Sequence, residues 1–320
     1  MSAQAAIAAG AGGTASGDSE QRELRVQITP PWPFRLSRRS GMDGLSPVKN
    51  GVLHRLIHEC EAAVHIRVAQ LSSGDVLIGA RSADGAAARS GIQRMRRALG
   101  VDLDLRPFHD AYRNDPLIGA AVRANPSVRP AGRPHAFEAL AWAVTEQLIE
   151  YERAAAIQRR LVAALGRRDT VSRLRDSPSP AALAGAAPAR LESFDLSAGR
   201  AVALTRVARE VASGRVDLDS PDPDVQEAGW RRLRSIHGIG PWTVEIMALT
   251  GQGRIDQLPA GDLGFIKLVG RILSGGDPHA RATEQQVRDF FARFGAWQGL
   301  AANYALRASG EIKSPIVGAG

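Results

Sequence analysis

The hydrophobic periodicity of the chain changes near residue 106, and this change restricts the folds that the chain can adopt. Before that point, three segments alternate apolar and polar residues, as strands with one buried face do: 24–28, 64–68 and 76–78. After Pro107 the apolar residues recur at three- and four-residue spacings, which is typical of amphipathic helices. The sequence therefore predicts a smaller α+β part followed by a larger all-α part.

Two helical patterns accompany the alternating segments. The apolar residues of Val52–Ile57 fit the first pattern. Ile92, Met95 and Leu99 fit the second, which we expect to end at Gly100, because glycine readily adopts the left-handed conformation that follows many helices. The predicted N-terminal arrangement is an antiparallel sheet with two helices covering one face.

The all-α part is predicted to contain many short helices. Apolar residues from Phe137 to Val144 recur on one helix face, and Leu148 falls on the same face. Thr283 and Gln286 form a capping box at the start of the last predicted helix. The other predicted helices cover residues 157–165, 201–212, 225–236, 241–250 and 263–273.

These patterns and the composition divide the chain into four segments. Residues 1–22 are mostly small or polar and cannot bury enough apolar surface to offset the entropy of ordering, so we expect a disordered tail. The α+β domain is predicted over 23–106 and the all-α domain over 107–310, with a C-terminal tail at 311–320.

The charge of the chain favours a polyanionic partner. Lysine and arginine number 41 against 33 acidic residues, which gives a net charge of +8. The single cysteine, Cys60, excludes an internal disulfide and a four-cysteine iron–sulfur cluster. No apolar run approaches the roughly 20 residues that span a bilayer. We expect a cytoplasmic protein without membrane contact, associated with the nucleoid if its source is bacterial.

The most informative segment is His237-Gly238-Ile239-Gly240-Pro241, between two predicted helices. The glycines allow a tight turn, and Pro241 suits the first turn of a helix. The amides of Gly238, Gly240 and Thr243 would then point outward at a helix start, where they can bind a phosphate oxygen. A simple turn between two core helices explains an isolated Gly-x-Gly equally well. The flanking helices and the basic charge favour a helix–hairpin–helix that binds the DNA backbone without reading sequence.

Asp262 lies about twenty residues beyond the hairpin and directly before another predicted helix. An aspartate at this position commonly caps the helix, because its carboxylate accepts hydrogen bonds from the first-turn amides. A capping carboxylate is also held rigidly, as a catalytic carboxylate needs to be. The two roles are compatible, and the local sequence does not choose between them.

Together, these two segments resemble the DNA-3-methyladenine glycosylase II (alkylation-repair) branch of the helix–hairpin–helix DNA glycosylase superfamily. The matching residues are Leu233, Ile236, Gly238, Ile239, Gly240, Trp242, Thr243, Pro259, Asp262, Leu263 and Gly264. The resemblance extends over about residues 24–308, with Glu146-Gln147-Leu148 at the wedge loop of the family. It implies a mainly α fold, in which an all-α helix–hairpin–helix glycosylase domain follows a smaller TBP-like α+β domain.

The resemblance implies a monofunctional glycosylase of base excision repair. Such an enzyme binds double-stranded DNA that contains damaged bases, flips out an alkylated purine such as 3-methyladenine and hydrolyses its N-glycosidic bond. Asp262 is the implied catalytic residue. Relatives that also cut the strand carry a lysine two residues after the second hairpin glycine, where this chain has Trp242. We expect the protein to act as a monomer.

The resemblance also implies further DNA-binding residues beside the hairpin. Leu148 stands at the wedge position, where an apolar side chain can fill the space that a flipped base leaves. Gln147 precedes it and is expected to take part in DNA binding. Ordinary core packing is the other interpretation of Leu148, because it falls on the Phe137–Val144 face.

Trp242 and Trp297 are the candidate walls of the base pocket. Aromatic faces attract the cationic ring of an alkylated purine, although either tryptophan could instead belong to the core. Ile246 and Leu300 occupy positions where family members often have tyrosine. The predicted pocket is therefore poorer in aromatic side chains than is usual in the family.

Two metal sites come into consideration, and no cofactor is expected to be required. The resemblance implies a monovalent cation, Na⁺ or K⁺, on the main-chain carbonyls of three hairpin residues, namely Arg234, Ile236 and Ile239. A cluster of soft side chains could hold zinc, although no second half-site is visible: His54, His58, Cys60 and His65.

Two alternatives to the glycosylase remain at this stage. A non-enzymatic helix–hairpin–helix DNA-binding relative with a degenerate base pocket would keep the hairpin. Asp262 argues against it, whereas Ile246 and Leu300 leave it open. A hairpin module of a polymerase or ligase accessory protein is disfavoured, because such modules lack the Pro259–Asp262 segment.

Overall fold

A five-stranded antiparallel sheet forms the first part of the computed structural model, which describes residues 22–130 and 132–309. The predicted tails at 1–22 and 311–320 lie outside the described residues, apart from Arg22. The strands are β1 (Arg22–Ile28), β2 (Val48–Lys49), β3 (Val52–Glu59), β4 (Ala62–Gln70) and β5 (Val76–Ser82). Their order in the sheet is β1-β5-β4-β3-β2, and all neighbouring pairs are antiparallel.

One helix, α1 (Gly85–Leu99), covers one face of this sheet. The side chain of Asp84 caps its first turn by accepting a hydrogen bond from the Ala86 amide. The helix ends at Gly100, where φ is 59°, as the sequence predicts. Ile92 and Met95 of α1 pack onto a row of buried and partly buried residues from four strands, which lie opposite one another: Val26, Ile78, Val68 and Leu53.

The helix predicted over Val52–Ile57 is wrong, because this segment is strand β3. Both faces of β3 are buried. Leu53 and Ile57 contact the cluster beneath α1, while Val52 packs with Ala69 on the opposite face. Apolar residues on both faces of a strand occur at spacings that imitate a helix, and this explains the error.

From residue 106 onward the described chain is helical. Its α-helices are α2 (Arg106–Tyr112), α3 (Gly119–Ala124), α4 (Ala136–Glu146), α5 (Tyr151–Leu165), α6 (Pro180–Gly185), α7 (Pro188–Glu192), α8 (Ala198–Ala212), α9 (Pro223–Arg234), α10 (Pro241–Gly251), α11 (Leu263–Leu273), α12 (Glu284–Phe291) and α13 (Gln298–Ala308). A 3₁₀ helix at Ala292–Trp297 joins α12 to α13. The capping box of Thr283 and Gln286 at the start of α12 is confirmed.

Two apolar cores hold the helices together. One lies among α4, α5, α8, α9 and α10, and includes Leu140, Ile157 and Leu204. The other lies among α10, α11, α12 and α13, and includes Phe265, Phe291 and Tyr304. Helix α10 contributes to both cores, so the segment that precedes it is held firmly on two sides. Among the described helices, none is long and apolar enough to cross a membrane.

Candidate functional site

The predicted hairpin is present between α9 and α10. Pro241 occupies the first turn of α10, where its missing N–H costs no hydrogen bond. Ile239 is buried in the core, and its amide donates to the carbonyl of Ile236 over 3.0 Å. Gly238 has φ of +88°, in the left-handed region that favours glycine. The chain therefore makes a tight turn whose apolar centre is anchored between the two helices.

The first turn of α10 offers amide groups to a ligand. Gly240 is its N-cap, and within the described part of the chain no side chain accepts a hydrogen bond at this cap. The amide of Thr243 lies in the same turn, whose partial positive charge attracts an anion. Gly238, Gly240 and Thr243 are thus brought together as predicted.

Gln147 ties the loop after α4 to the hairpin. Its Nε2 donates to the carbonyl oxygen of Gly238 over 2.9 Å and to Oγ1 of Thr243 over 2.8 Å. The Thr243 side chain is buried and engaged by this bond, so its backbone amide is the group left for a phosphate. The side-chain amide of Gln147 therefore fixes the position of the hairpin relative to the loop after α4.

Leu148 is not part of the core. The interpretation of Leu148 as a core residue on the Phe137–Val144 face is therefore wrong. Helix α4 ends at Glu146, and Leu148 follows with φ of 55° and a side chain that is 104% exposed. A leucine that projects completely into solvent from a left-handed position has no packing role in the protein itself. Its exposure is compatible with the wedge role that the sequence predicts.

Asp262 is the N-cap of α11 and lies beside the hairpin helix. Its Oδ1 accepts a hydrogen bond of 2.8 Å from the Gly264 amide, and its Oδ2 accepts one of 3.4 Å from Nε1 of Trp242. Burial raises the pKa of the Asp262 carboxyl above its ordinary value, although these hydrogen bonds act in the opposite direction. The carboxyl group is therefore both a helix cap and a rigidly held, poorly solvated acid.

Glu146 is a second titratable group of this region, and sequence reasoning included it only as part of the wedge loop. Burial raises its pKa to about 7, the Arg133 guanidinium lowers it, and the Asp262 carboxylate raises it. Glu146 and Asp262 thus lie within electrostatic range of each other. A carboxyl group at the end of the apolar Phe137–Val144 pattern is the sequence signal that could have identified it.

The two candidate pocket tryptophans are partly buried and border the same apolar core. The indole N–H of Trp242 donates the hydrogen bond that Oδ2 of Asp262 accepts. The ring of Trp297 lies 5.6 Å from that of Phe108, at an interplanar angle of 52°. Ile246 and Leu300 are buried in the core between the helices and are not free to line an open pocket.

Two cavities lie elsewhere in the described structure. They have volumes of about 590 and 600 Å³ and are located between the sheet part and the helices. Asp262, Trp242 and Trp297 line neither of them. The candidate site is formed by the hairpin, the loop after α4 and the start of α11, which the hydrogen bonds of Gln147 and Asp262 connect.

The histidines considered for zinc fall into separate groups. Nδ1 of His54 lies 3.1 Å from Nε2 of His65 on the neighbouring strand, whereas Nδ1 of His58 faces Asp176 at 2.6 Å. Burial lowers the pKa of His65 to about 4. Within the described residues, no three His, Cys, Asp or Glu side chains are arranged to hold a metal ion.

Comparisons with known proteins agree with this geometry. Residues 141–293 match the model of the family described as HhH-GPD superfamily base excision DNA repair protein. A DNA-3-methyladenine glycosylase of Bacillus subtilis (strain 168) is 26% identical over 211 residues, which are 65% of this chain and 68% of that protein. DNA-3-methyladenine glycosylase 2 of Escherichia coli (strain K12) is 29% identical over 185 residues, 58% of this chain and 61% of that protein.

The fold is also found in solved structures. That of a 3-methyladenine DNA glycosylase from Archaeoglobus fulgidus superposes with a TM-score of 0.70 at 19% identity, covering 90% of this chain and 99% of that one. The sheet part and the helical part are both included in this overlap. The segment that is similar to the HhH-GPD superfamily of base excision DNA repair proteins, residues 141–293, includes Gln147, the hairpin and Asp262.

Proposed function

We propose that this protein is a monofunctional DNA glycosylase that hydrolyses the N-glycosidic bond of alkylated purines in double-stranded DNA. The observation that carries the proposal is the position of Asp262, which the Gly264 amide and the Trp242 indole hold beside the hairpin. The names of the B. subtilis and E. coli relatives support 3-methyladenine as a substrate. A DNA-binding relative without activity has no need of a desolvated carboxyl group there.

The hairpin would bind the DNA backbone next to the damaged nucleotide. The outward amides of Gly238, Gly240 and Thr243 suit a phosphate oxygen, and the net charge of +8 adds non-specific attraction. The hydrogen bonds of Gln147 hold these amides in a fixed position relative to the loop that carries Leu148. One element would thus hold the backbone while the other enters the base stack.

Leu148 would fill the space of the flipped base. Flipping a nucleotide out of a duplex costs a few kcal/mol, and an apolar side chain inserted into the stack offsets part of that cost. The exposed side chain already projects from the protein, so insertion requires no loss of core packing.

Asp262 would stabilise the transition state by its charge. Departure of the base leaves positive charge on the deoxyribose, and a carboxylate fixed close to that charge lowers its energy without rearranging. Trp242 and Trp297 would contact the cationic purine, with attraction of about 0.5–2 kcal/mol for each favourable ring contact. Trp242 replaces the lysine of strand-cutting relatives, so no side-chain amine is available there for a Schiff base.

Three finer points belong to the same proposal. The main-chain carbonyls of Arg234, Ile236 and Ile239 would ligate a Na⁺ or K⁺ ion at the hairpin, as the family resemblance implies. The protein would act as a monomer on damaged DNA. Its place would be the cytoplasm, or the nucleoid of a bacterial cell.

Incubation with methylated duplex DNA, followed by analysis of the released bases, tests the proposal. We expect free 3-methyladenine from the wild type and a roughly 10²–10³-fold slower release from Asp262→Asn with DNA binding retained. Asp289→Asn, at an exposed carboxylate of α12, is the matched control. Binding without release by the wild type would favour the non-enzymatic alternative, and a covalent adduct trapped by borohydride would contradict monofunctional chemistry.

A further inference from the structure

Helix α11 carries a row of solvent-facing side chains that begins at the residue directly after Asp262. Leu263 is the first residue of the helix, and its side chain is 57% exposed. Lys267 and Arg271 follow at four-residue spacings, so all three side chains lie on one face of the helix. The other side of the helix packs into the apolar core through three buried residues: Phe265, Leu268 and Val269. The row of Leu263, Lys267 and Arg271 is called the α11 stripe below.

The charge of the α11 stripe is positive. Residues 263–273 include Lys267 and Arg271 and no acidic residue. Within residues 22–130 and 132–309, no carboxylate forms a hydrogen bond or an ion pair with Lys267. A nucleic-acid strand suits such a surface, because its phosphates attract the cations and its sugars and bases present apolar area to the leucine.

Asp262 lies between the α11 stripe and the hairpin helix. On one side, Nε1 of Trp242 donates to Oδ2 of Asp262 over 3.4 Å. On the other side, Oδ1 accepts a bond of 2.8 Å from the Gly264 amide, and the Asp262 carbonyl accepts one of 2.9 Å from the Ile266 amide. The carboxyl group and the start of the stripe are therefore fixed as one unit. A nucleotide whose sugar lies at Asp262 would have the hairpin on one side and the α11 stripe on the other.

The position of Leu263, more than its exposure, points to a ligand. Single exposed leucines are common on protein surfaces. Leu273, at the other end of the same helix, is 56% exposed, but the helical rise places it about 15 Å along the axis from Leu263. Lys267 lies only about 6 Å along the axis from Leu263, and its long flexible side chain binds a phosphate as a point charge. Leu263 and Lys267 can thus contact one nucleotide together.

We propose that the α11 stripe binds the damaged DNA strand on the side of the flipped nucleotide that the hairpin does not hold. Leu263 packs against the sugar or base of the adjacent nucleotide, Lys267 binds its phosphate, and Arg271 adds positive charge further along. This inference rests on the proposed glycosylase function and specifies how the substrate strand is held. Contacts on both sides would keep the flipped sugar at Asp262, because a strand held on one side alone can still swing away.

A scan of the phosphates tests the proposal by binding alone. Single phosphates of the damaged strand are replaced in turn by neutral methylphosphonates, in a labelled duplex that contains an uncleavable abasic analogue. Fluorescence anisotropy at fixed salt gives the Kd of each duplex. For the wild type we expect replacement to weaken binding by about threefold or more at two separate positions, one on each side of the analogue. Gly240→Ala should abolish the effect of replacement at one of these positions, and Lys267→Gln should abolish it at the other.

Two pairs of matched variants examine the stripe residues separately. Lys267→Gln should reduce the slope of log Kd against log salt concentration by about 0.9, the contribution of one phosphate contact. Lys49→Gln, at an exposed lysine of β2, should leave that slope unchanged. Leu263→Gln should weaken binding of the abasic duplex by about fivefold through loss of the apolar contact. Leu273→Gln, at the equally exposed leucine, should not weaken it.

The outcomes distinguish this inference from the proposed function. The inference would be overturned, with the glycosylase assignment intact, if Lys267→Gln retained the wild-type scan or lost the same position as Gly240→Ala. Equal binding by Leu263→Gln and Leu273→Gln would overturn the apolar contact. A wild type that binds the duplex but releases no methylated base would overturn the function, and the scan would still decide whether the stripe binds DNA. If Lys267→Gln does not fold, the wild-type scan decides, because sensitive phosphates on one side only would contradict the proposal.

Discussion

Asp262 combines a structural bond with an electrostatic cost. As the N-cap of α11 it satisfies the Gly264 amide, and the positive end of the helix favours its charge. Burial nevertheless raises the pKa of its carboxyl, which means that desolvation outweighs these favourable interactions. A residue that weakens the fold when ionised is typical of a site where function and stability oppose each other.

We therefore predict that Asp262→Asn is more stable than the wild type at neutral pH. The folded-state pKa lies above the unfolded value, so the wild type loses stability as pH rises through the folded-state pKa. Asparagine caps a helix about as well as aspartate and carries no charge to desolvate. Thermal unfolding across pH measures the difference, which should disappear below the unfolded pKa of aspartate. A lower melting temperature for Asp262→Asn at neutral pH would contradict this account.

Leu148 shows what a single sequence cannot reveal about a residue. Its spacing from Phe137 and Val144 fits one face of a helix. It does not lie on that face because α4 ends at Glu146, two residues before Leu148. Helix ends are set by local competition between the helix and other contacts, here the hydrogen bonds of Gln147 to the hairpin, 91 and 96 residues further along the chain. Periodicity contains no information about such distant partners.

Truncating Leu148 should affect base release without affecting stability. Leu148→Ala removes a side chain that contacts solvent, so the free energy of unfolding should change by less than about 0.5 kcal/mol. Excision of a lesion from a paired duplex should slow by at least about tenfold, which corresponds to about 1.4 kcal/mol. Excision from a single strand, where no stack has to be filled, should change much less. Single-turnover rates on the duplex and on the single strand measure the two effects. Val171→Ala, at another exposed apolar residue, is the control. Equal slowing on the duplex and the single strand would exclude a wedge role for Leu148.

At the scale of elements, motifs made of a few adjacent residues predict the structure correctly. Patterns of apolar spacing whose meaning depends on the rest of the fold do not. The hairpin, the capping box of α12 and the stop of α1 at Gly100 each depend on a few adjacent residues, and each is confirmed. Strand β3 has the apolar spacing of a helix because both of its faces are buried. Helices α2 and α3 have seven and six residues, too few for a periodic pattern to emerge from the sequence.

The two hairpin glycines, Gly238 and Gly240, have different backbone conformations, so the absence of a side chain matters for a different reason at each position. Gly238 has φ of +88°, whereas Gly240 has φ of −93° and ψ of 178°, an extended conformation that any residue adopts. An added Cβ at Gly240 meets nothing within 4 Å. The backbone needs glycine at Gly238 for its conformation. At Gly240 it needs glycine only if another molecule approaches closely.

This difference predicts that two similar substitutions have different effects on stability and the same effect on DNA binding. Gly238→Ala should destabilise the protein by about 1–2 kcal/mol through left-handed strain and should also weaken DNA binding. Gly240→Ala should leave stability nearly unchanged and still weaken DNA binding, because its methyl group would occupy the position that we propose for a phosphate. Urea unfolding and fluorescence anisotropy with a labelled duplex at fixed salt measure the two effects. Unaltered DNA affinity of Gly240→Ala would argue against backbone binding by the amides of the first turn of α10.

At the scale of the whole molecule, buried charges connect the sheet to the helices. Arg55 of β3 pairs with Glu138 of α4, and both side chains are only 2% exposed. Arg133 also donates to Glu138, over 3.1 Å, and to Asp43, over 3.2 Å. Asp43 and Arg55 lie more than 75 residues before Arg133 and Glu138, so the sequence predicts both domains but not the ionic network between them. A charge network in this position makes the two parts depend on each other for stability.

Removing one member of this network should therefore weaken the whole protein. Glu138→Gln leaves Arg55 buried beside a neutral amide, and loss of one partner of a buried ion pair costs about 3–5 kcal/mol. Replacing both members by apolar residues, as in Arg55→Met with Glu138→Leu, should recover most of that loss, since no unpaired charge remains. Urea unfolding followed by circular dichroism measures each variant, and hydrogen exchange should show faster opening in β3 and α4 together. Asp195→Asn, which breaks the exposed pair with Arg153, is the control and should change stability little. If Glu138→Gln cost no more than this control, or if only the sheet opened, the two parts would have to be stabilised separately.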